Sequence, residues 1–450
     1  MIIMPELPES FKEEMINILK DDYPLYEKCF SEDAFRGISV NRLKITPERL
    51  IELLPFEVSK SPFYRDGYYI SCAEQGIGKL ILHHAGAFYV QEPSASSAVS
   101  LLDIQKGDKV LDLCAAPGGK SAQTASCLDG SGLIWSNEVV KSRAQILLSN
   151  FERMGIANGV VSSLYPEVLC KKLNGFFDKL LVDAPCSGEG MFRKNPDAIS
   201  EWSREHVLSC AERQLSILDS ASSALKTGGI LVYSTCTFSY EENECVILRF
   251  LEQHPEFEMC EINEPFGRKT ELPCAVRITP IENGEGHFAA KLRKISGDND
   301  ESYTYSKNEN TKKDSAYKSA QKELENIFSD ISGLNISLKG DKVYLLPDML
   351  PDINGINIIR AGVLAGEFKK GRFEPAHSLF TAFRPEFFRR VLELDINDKR
   401  AEEYLHGMET DCNGENGYTA VSCCGMVLGF GKCSGGRLKN KYPKGLRNQL

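Results

Sequence analysis

The sequence predicts an α/β protein: a doubly wound, mostly parallel sheet in the middle of the chain, with a small N-terminal region before it and a C-terminal α+β region after it. Three observations carry this reading. Between about residues 86 and 295 short apolar strands alternate with helical segments, the pattern of a sheet covered by helices on both faces. Residues 296–318, SGDNDESYTYSKNENTKKDSAYK, are polar with almost no aliphatic side chains and read as a linker. The length of 450 residues exceeds what one hydrophobic core usually serves.

Residues 1–85 open with an amphipathic helix carrying Phe11, Met15, Ile18 and Leu19 on its apolar face and Ser10 as its N-cap. FRGISVNR, residues 35–42, follows as a compact basic turn. In the segment 86–295 the first strand spans residues 109–113, with a Gly-rich turn and a helix through Ser126. The second is Leu133–Asn137, followed by a helix over residues 144–153, and strands at 178–183 and 229–234 complete the pattern. Beyond the linker, residues 319–385 form an intermediate α+β unit with a strand at 342–346, and residues 386–450 a last unit with a basic, Gly-rich tail. No internal repeat is visible.

Hydrophobic residues make up 42% and charged residues 26%, as in an ordinary soluble globular protein, and no apolar run approaches the length that spans a bilayer. The start, MIIMPELPESFKEEM, has no basic segment leading into an apolar one, so no signal peptide is read and a cytoplasmic location is expected. Fifteen cysteines without a C-x-x-C spacing argue against a zinc ribbon and a secreted disulfide framework, and no metal site is expected. Cys29, Cys127, Cys170 and the pair Cys423-Cys424 read as structural. A net charge of −10 taken alone speaks against a nucleic-acid partner. The distribution is one-sided, however: from Val427 onward the chain has Lys432, Arg437, Lys439, Lys441, Lys444 and Arg447 and no acid.

Candidate chemistry concentrates in three segments. LDLCAAPGGKS, residues 111–121, has Cys114 where a P-loop needs its opening glycine, and it is not a G-x-G-x-x-G fingerprint. An acid ends the strand and small residues then admit a ligand at a helix N-terminus, which suits a nucleoside cofactor without a pyrophosphate. Cys114, Ala115, Ala116, Pro117, Gly118, Gly119 and Lys120 are its candidate contacts. Glu138, ending the second strand, is placed to accept hydrogen bonds from ribose hydroxyls, although by itself it reads equally well as a solvated acid. DAPCSG (183–188) and STCTF (234–238) each end a strand in a cysteine among small or polar residues. Two reactive thiols facing one pocket imply covalent catalysis, and by spacing alone Cys186 and Cys236 are equivalent.

LDLCAAPGGK, followed by DAPCSGEGMFRK and then STCTF, resembles the RNA cytosine-C5 methyltransferases that use S-adenosylmethionine, the RsmB/NOL1/NOP2/sun family. YVQEPSAS (89–96), RITP (277–280), GHF (286–288), RAG (360–362), GRFEP (371–375) and LKNKYPKGLR (438–447) extend the likeness over nearly the whole chain. They point to the bacterial, RsmF-like branch, which acts on small-subunit ribosomal RNA and carries a C-terminal PUA-like domain. The resemblance implies a Rossmann-like S-adenosylmethionine-dependent methyltransferase core at 86–295 and RNA-binding regions at 1–85 and 386–450. It also implies S-adenosyl-L-methionine as cofactor, with Asp183 among its contacts, and ribosomal RNA or the small ribosomal subunit as partner of a monomer that meets no membrane.

In the implied reaction a thiolate adds to cytosine C6, which makes C5 nucleophilic enough to take a methyl group. The resemblance assigns Cys236 as nucleophile and Cys186 to release of the methylated RNA. Asp183 is the candidate acid at N3, and Lys120 would orient the base or a catalytic carboxylate. The target base must be unpaired or flipped, with Arg36, Arg42, Arg193, Lys194 and the basic tail as binding surface; Arg36 and Arg42 read equally as solvated charges. The family often has an Asp near the third strand that contacts adenine; VVSSLY (160–165) has no acid, which leaves adenine to backbone groups or Ser163. A transfer-RNA substrate, or a non-catalytic RNA-binding assembly factor, are the alternatives.

Overall fold

The computed structural model describes residues 7–297, 303–305, 315–412 and 414–447. Helix Glu9–Leu19 buries Phe11, Met15 and Leu19, one apolar stripe at helical spacing. Beside it stands an antiparallel sheet of β1 (Arg36–Val40), β2 (Val58–Lys60), β3 (Gly67–Ile70) and β4 (Phe88–Gln91), in the order β2-β3-β1-β4. Two expectations are corrected here. Pro8 occupies the cap position and Ser10 lies inside the first turn, with no side chain capping this end. Residues 36–40 form a central strand rather than a turn. Small residues make this possible: a Cβ on Gly37 would lie 2.7 Å from the Tyr68 carbonyl, and Ser39 Oγ accepts a hydrogen bond from Gln91 at 2.6 Å. β4 lies within the range expected for the middle unit, yet it pairs with β1.

The second sheet contains β5 (Lys109–Asp112), β6 (Leu133–Asn137), β7 (Gly159–Ser162), β8 (Phe177–Asp183), β9 (Leu225–Thr235), β10 (Phe257–Met259), β11 (Arg268–Lys269), β12 (Ala275–Ile278) and β13 (His287–Lys294). Its centre, β7-β6-β5-β8-β9, is parallel, and β13, β12 and β11 continue it antiparallel. The central strands are buried on both faces, which is why they read as continuous apolar runs. The chain runs outward through β5, β6 and β7, then returns to place β8 on the other side of β5. That switch point leaves the loops after β5, β6, β8 and β9 at one edge, where open α/β sheets bind ligands.

Most of the 296–318 segment lies outside the described residues, but Tyr303 donates to the Asn174 carbonyl and Tyr305 receives a hydrogen bond from Lys109. The C-terminal part contributes β14 (Ile336–Lys339), β15 (Lys342–Leu345), β16 (Ile358–Ala361), β17 (Val363–Lys369) and β18 (Arg372–Pro375). Of these, β14-β15-β17-β18 form their own sheet, whereas β16 pairs with β7 and extends the large sheet to ten strands. Gly362 makes the turn between β16 and β17, where any Cβ would run into the Leu345 carbonyl. The last sheet, β19-β21-β22-β23-β20, consists of β19 (Val391–Leu394), β20 (Thr410–Asp411), β21 (Gly417–Cys423), β22 (Met426–Ser434) and β23 (Arg437–Asn440).

The cysteine reading needs adjustment. Cys170 and Cys423 are buried, Cys29 and Cys127 are only partly so, and Cys412 is disulfide-bonded to Cys433, with Cα atoms 6.5 Å apart. β23, pairing with both β20 and β22, brings those two cysteines together across the sheet.

The N-terminal and C-terminal ends share one hydrophobic core, in which Ile38, Val40, Leu50 and Phe88 pack with Leu394, Val421, Leu428 and Tyr442. Among the described residues no helix is long and apolar enough to cross a membrane. Leu428 is fully buried in this shared core. Leu428→Ala should therefore destabilise the protein by about 2–5 kcal/mol. Calorimetry should show the two ends melting together in one lowered transition; independent transitions would contradict a common core.

Candidate active site

The turn after β5 is built from buried polar groups. Asp112, fully buried, accepts from Ser121 Oγ at 2.6 Å, and Ser121 shares a 2.8 Å contact with Ser136 Oγ. Asp112 Oδ1 has no partner, and burial pushes the carboxyl up to about 7. Ala115 N donates to the Asn137 carbonyl at 2.8 Å, tying the turn to the end of β6. Gly118 has φ +117°, a left-handed conformation, and a Cβ there would meet Leu147 at 3.0 Å. A Cβ on Gly119 would stand 2.7 Å from Gln91 Oε1 and 3.0 Å from the Tyr89 ring. The glycine pair thus lets the turn approach the neighbouring helix and β4.

A cleft of about 710 Å³ opens at the carboxyl ends of β5, β6, β8 and β9. Of the residues expected around the cofactor, Cys114, Ala116, Glu138 and Asp183 line it, together with Cys186 and Cys236. Ala115, Pro117, Gly118, Gly119 and Lys120 are not on its wall; they form the turn and the helix start behind it. Glu138 is buried, accepts from Val140 N at 2.8 Å and pairs with Arg143 at 3.2 Å. Ser163 Oγ donates to the Val139 carbonyl at 3.2 Å and does not line the cleft. Sequence reasoning missed the apolar rim, where Val139, Val140 and Tyr165 are 45%, 45% and 64% exposed. Three large apolar residues just beyond strand ends were the available signal.

Cys186 and Cys236 meet with their Sγ atoms 3.2 Å apart. Two buried glutamates fix the loops that carry them. Glu189, on the Cys186 side, accepts from Phe238 N (2.8 Å), Ser239 N (3.0 Å) and Trp202 Nε1 (2.9 Å). Glu242, on the Cys236 side, accepts from Ser187 N (3.0 Å) and Gln214 Nε2 (2.7 Å). Gly190 N donates to the Cys236 carbonyl at 2.9 Å. Burial raises the proton affinity of both glutamates. The contact with Cys236, together with burial, pushes the Cys186 thiol well up, so Cys186 is held protonated. Neither glutamate was singled out in the sequence.

Lys120 Nζ donates to Asp183 Oδ2 at 2.8 Å, and Ser234 Oγ donates to Oδ1 at 2.8 Å. Burial alone would raise the Asp183 carboxyl, but the Lys120 ammonium together with His287 and the Ser234 hydrogen bond outweighs it, and the group is held below its ordinary value as a carboxylate. Burial lowers the Lys120 ammonium, and Asp183 more than restores it. His287 Nε2 is 4.0 Å from Asp183 Oδ1; burial pushes this imidazole down to about 3, so it is neutral.

The expected RNA-facing cations divide. Arg42 is bidentate on Asp66 at 2.5 and 2.6 Å, and Arg193, 4% exposed, pairs with Glu285 at 3.1 Å. Arg193 is enclosed within the fold, a correction to its reading as binding surface, whereas Arg42 pairs with Asp66 yet stays 43% exposed; their partners are 92 and 24 residues away in sequence. In the tail, Lys432, Arg437, Lys439, Lys441 and Lys444 are exposed, while Arg447 bonds the Tyr442 carbonyl.

Family models match successive parts of the chain: the N-terminal domain of 16S rRNA methyltransferase RsmF at residues 7–93, 16S rRNA methyltransferase RsmB/F at 99–293, the RsmF rRNA methyltransferase first C-terminal domain at 322–383, and the methyltransferase RsmF PUA domain at 391–448. Ribosomal RNA small subunit methyltransferase F of Vibrio cholerae serotype O1 (strain M66-2) is 32% identical, covering 98% of this chain and 97% of that one. Its namesake from Shewanella piezotolerans is also 32% identical, covering 97% of each. A solved methyltransferase homolog protein from Pyrococcus horikoshii, 28% identical, superposes with a TM-score of 0.54, covering 64% of this chain and 100% of that one.

The Asp112 carboxyl generates a pH signature. Its folded-state value is raised, so its contribution to stability is complete below 3.8 and is lost as pH rises through about 7. Across that window the wild type should lose roughly 4 kcal/mol of stability relative to Asp112→Asn. Denaturant unfolding of both proteins at the two edges of the window measures this, and parallel stabilities would show that Asp112 ionises without cost in the fold.

Proposed function

The chain belongs to the ribosomal RNA small subunit methyltransferase F family, within the RsmB/F group of 16S rRNA methyltransferases, and from that premise we propose that it transfers a methyl group from S-adenosylmethionine to C5 of a cytosine in small-subunit ribosomal RNA. The observation that carries the reading is the pair of thiols 3.2 Å apart on the wall of a cleft also lined by Asp183, which Lys120 holds as an ion pair from behind the wall. The cleft fits the cofactor: its volume of about 710 Å³ suits a nucleoside-sized ligand, and Glu138 and Asp183 give it acidic walls for a sulfonium. When bound, S-adenosylmethionine supplies an electrophilic methyl group.

The residues divide the work as follows. Cys236, as thiolate, adds to C6 of the flipped base, and the electrons displaced toward C5 and N3 make C5 the nucleophile that takes the methyl group. Asp183, held as a carboxylate beside Lys120, is not the acid expected at N3; it accepts a hydrogen bond from the cytosine exocyclic amine, and the Lys120 charge behind it offsets the negative charge that develops on the base. Lys120 orients that carboxylate. The C5 proton passes to water in the cleft, its bonding pair re-forms the C5–C6 double bond, and the C6–S bond opens with its electron pair returning to the Cys236 sulfur, to which the Cys186 thiol donates a hydrogen bond. Glu138 holds the ribose hydroxyls of the cofactor, while Cys114 and Ala116 face it and the turn through Ala115, Pro117, Gly118 and Gly119 carries them. The unit 86–295 is catalytic, and the units 1–85 and 386–450 grip RNA, the latter through its five exposed cations. With a ribosomal substrate, the enzyme works in the cytoplasm as a monomer.

Cys236→Ala should abolish methyl transfer, and Cys186→Ala should accumulate a covalent protein–RNA adduct that survives a denaturing gel. An adduct in Cys236→Ala instead would reverse the two assignments. Bisulfite sequencing of ribosomal and transfer RNA from a deletion strain should show a lost 5-methylcytosine in 16S rRNA alone.

A further inference from the structure

A second groove, of about 540 Å³, lies between the N-terminal sheet and the segment that follows Cys186. Phe35, Arg36, Gln75, Gln91, Arg193 and Lys194 contribute to its walls. It adjoins the thiols through two links. Lys194 continues the loop in which Gly190 N bonds the Cys236 carbonyl, and the wall residue Glu92 accepts from Glu285 N at 3.1 Å, two residues before His287 at the Asp183 carboxylate.

The charges lining this groove are not equally available. Arg193 is neutralised by Glu285 with both side chains buried. The Glu92 carboxylate is turned onto Ser94 N (2.9 Å), Ala95 N (2.8 Å) and Ser94 Oγ (2.5 Å), and Asp33 faces solvent. Two cations remain. Arg36 gives one hydrogen bond to the Glu74 carbonyl at 2.8 Å and keeps the rest of its donor fork. Lys194 Nζ makes no hydrogen bond or ion pair among the described residues; its backbone N bonds the Met191 carbonyl at 2.9 Å. Its partial burial lowers its hold on the proton, against the pull of Glu92 and Glu285. A half-buried ammonium without a partner is costly unless an anion completes it. Phe35 adds an aromatic ring to the groove wall, 5.7 Å from the Arg193 guanidinium and 5.9 Å from the Tyr69 ring. Cations with an interleaved aromatic are what a groove tracking a single nucleic-acid strand needs.

We propose that this groove seats a phosphodiester of the single-stranded RNA flanking the target cytosine, with Arg36 and Lys194 on the phosphate oxygens and the Phe35 ring against an adjoining base. The assignment rests on the reading above that RNA is the substrate. It assigns this groove to Arg36 and Lys194, because Arg193 is enclosed with Glu285 and Arg42, paired with Asp66, does not line it.

The test uses fluorescence anisotropy with a fluorescein-labelled single-stranded RNA carrying one central cytosine, titrated at several salt concentrations against the full-length wild type, Arg36→Gln, Lys194→Gln and the double variant. Each single change should weaken binding several-fold and reduce the slope of log K against log salt by about 0.7, and the double variant should show both losses together. Affinity for S-adenosylmethionine should be unchanged, and Lys194→Arg should restore most of the RNA affinity. A double variant with wild-type affinity and slope overturns the proposal, as does a Lys194→Arg protein no better than Lys194→Gln. Methylation of the same oligonucleotide separates the two readings. A wild type that binds through this groove without methylating defeats the function, whereas methylation with RNA binding indifferent to both substitutions defeats the groove alone.

Discussion

Glu189 and Glu242 reach in opposite directions between two loops that no covalent bond joins. Glu189 leaves the Cys186 loop to take the Phe238 and Ser239 amides, and Glu242 leaves the Cys236 loop to take the Ser187 amide. Hydrogen bonds to a charged acceptor are worth about 1.5–3 kcal/mol each. Against a net stability of only about 5–15 kcal/mol, three of them are a large local constraint. The distance between the thiols follows from it. A slip of about 1 Å between the loops would part the sulfurs, and misplacement on that scale costs reactions orders of magnitude. Gly190 and Gly286 make the same point sterically, since a Cβ on Gly190 would come within 2.7 Å of the Gly286 carbonyl.

The strand ladder sets the coarse position that the glutamates refine. β8 and β9 run parallel with Asp183 opposite Ser234, so the two cysteine loops leave neighbouring strand ends at the same height. The same register lets Ser234 Oγ bond Asp183, while Lys120 arrives from the helix that follows the β5 turn. Three separate segments thus converge on one carboxylate. With Lys120 beside it the buried Asp183 is ionised; without that partner, burial would drive it toward the neutral acid. Asp183 also stands on the cleft wall, so the carboxylate on which these segments converge faces the cleft rather than the core.

What was legible in the sequence follows a physical rule. β5, β6, β8 and β9 could be read because strands buried on both faces must be apolar throughout, and their ends were marked by Asp112, Glu138 and the two cysteines. The site was legible in the same way, as small and polar residues interrupting apolar runs. Long-range pairing was not. Arg42 and Arg193 look like surface cations until Asp66 and Glu285 are brought to them by the fold. β1 was missed although Ile38 and Val40 alternate with Gly37 and Ser39, because so short a run framed by Arg36 and Arg42 looks like a basic turn. β16 joins a sheet whose other strands lie at least 64 residues earlier in sequence, a pairing no local pattern encodes. The glutamates went unremarked because an acid gives no local sign that it will be enclosed by backbone amides.

The Gly118-Gly119 pair illustrates how one motif serves two constraints. Its glycines look like a concession to a ligand, but the atoms that a Cβ would strike belong to the protein: Leu147 on one side, Gln91 and Tyr89 of β4 on the other. β4 is paired to β1, and β1 carries Arg36. The close approach therefore docks the N-terminal sheet against the turn beside the cofactor cleft, and Asn41 adds hydrogen bonds at 2.8 Å to the Gly86 and Met154 carbonyls across the same seam. That sheet is in turn packed into the core it shares with β19, β21 and β22. Arg36, on β1, is thus held in a frame of contacts between regular elements, whereas the thiols sit on loops that Glu189 and Glu242 tie together. The position of Arg36 relative to the cleft is then set by packing, which yields by tenths of an ångström.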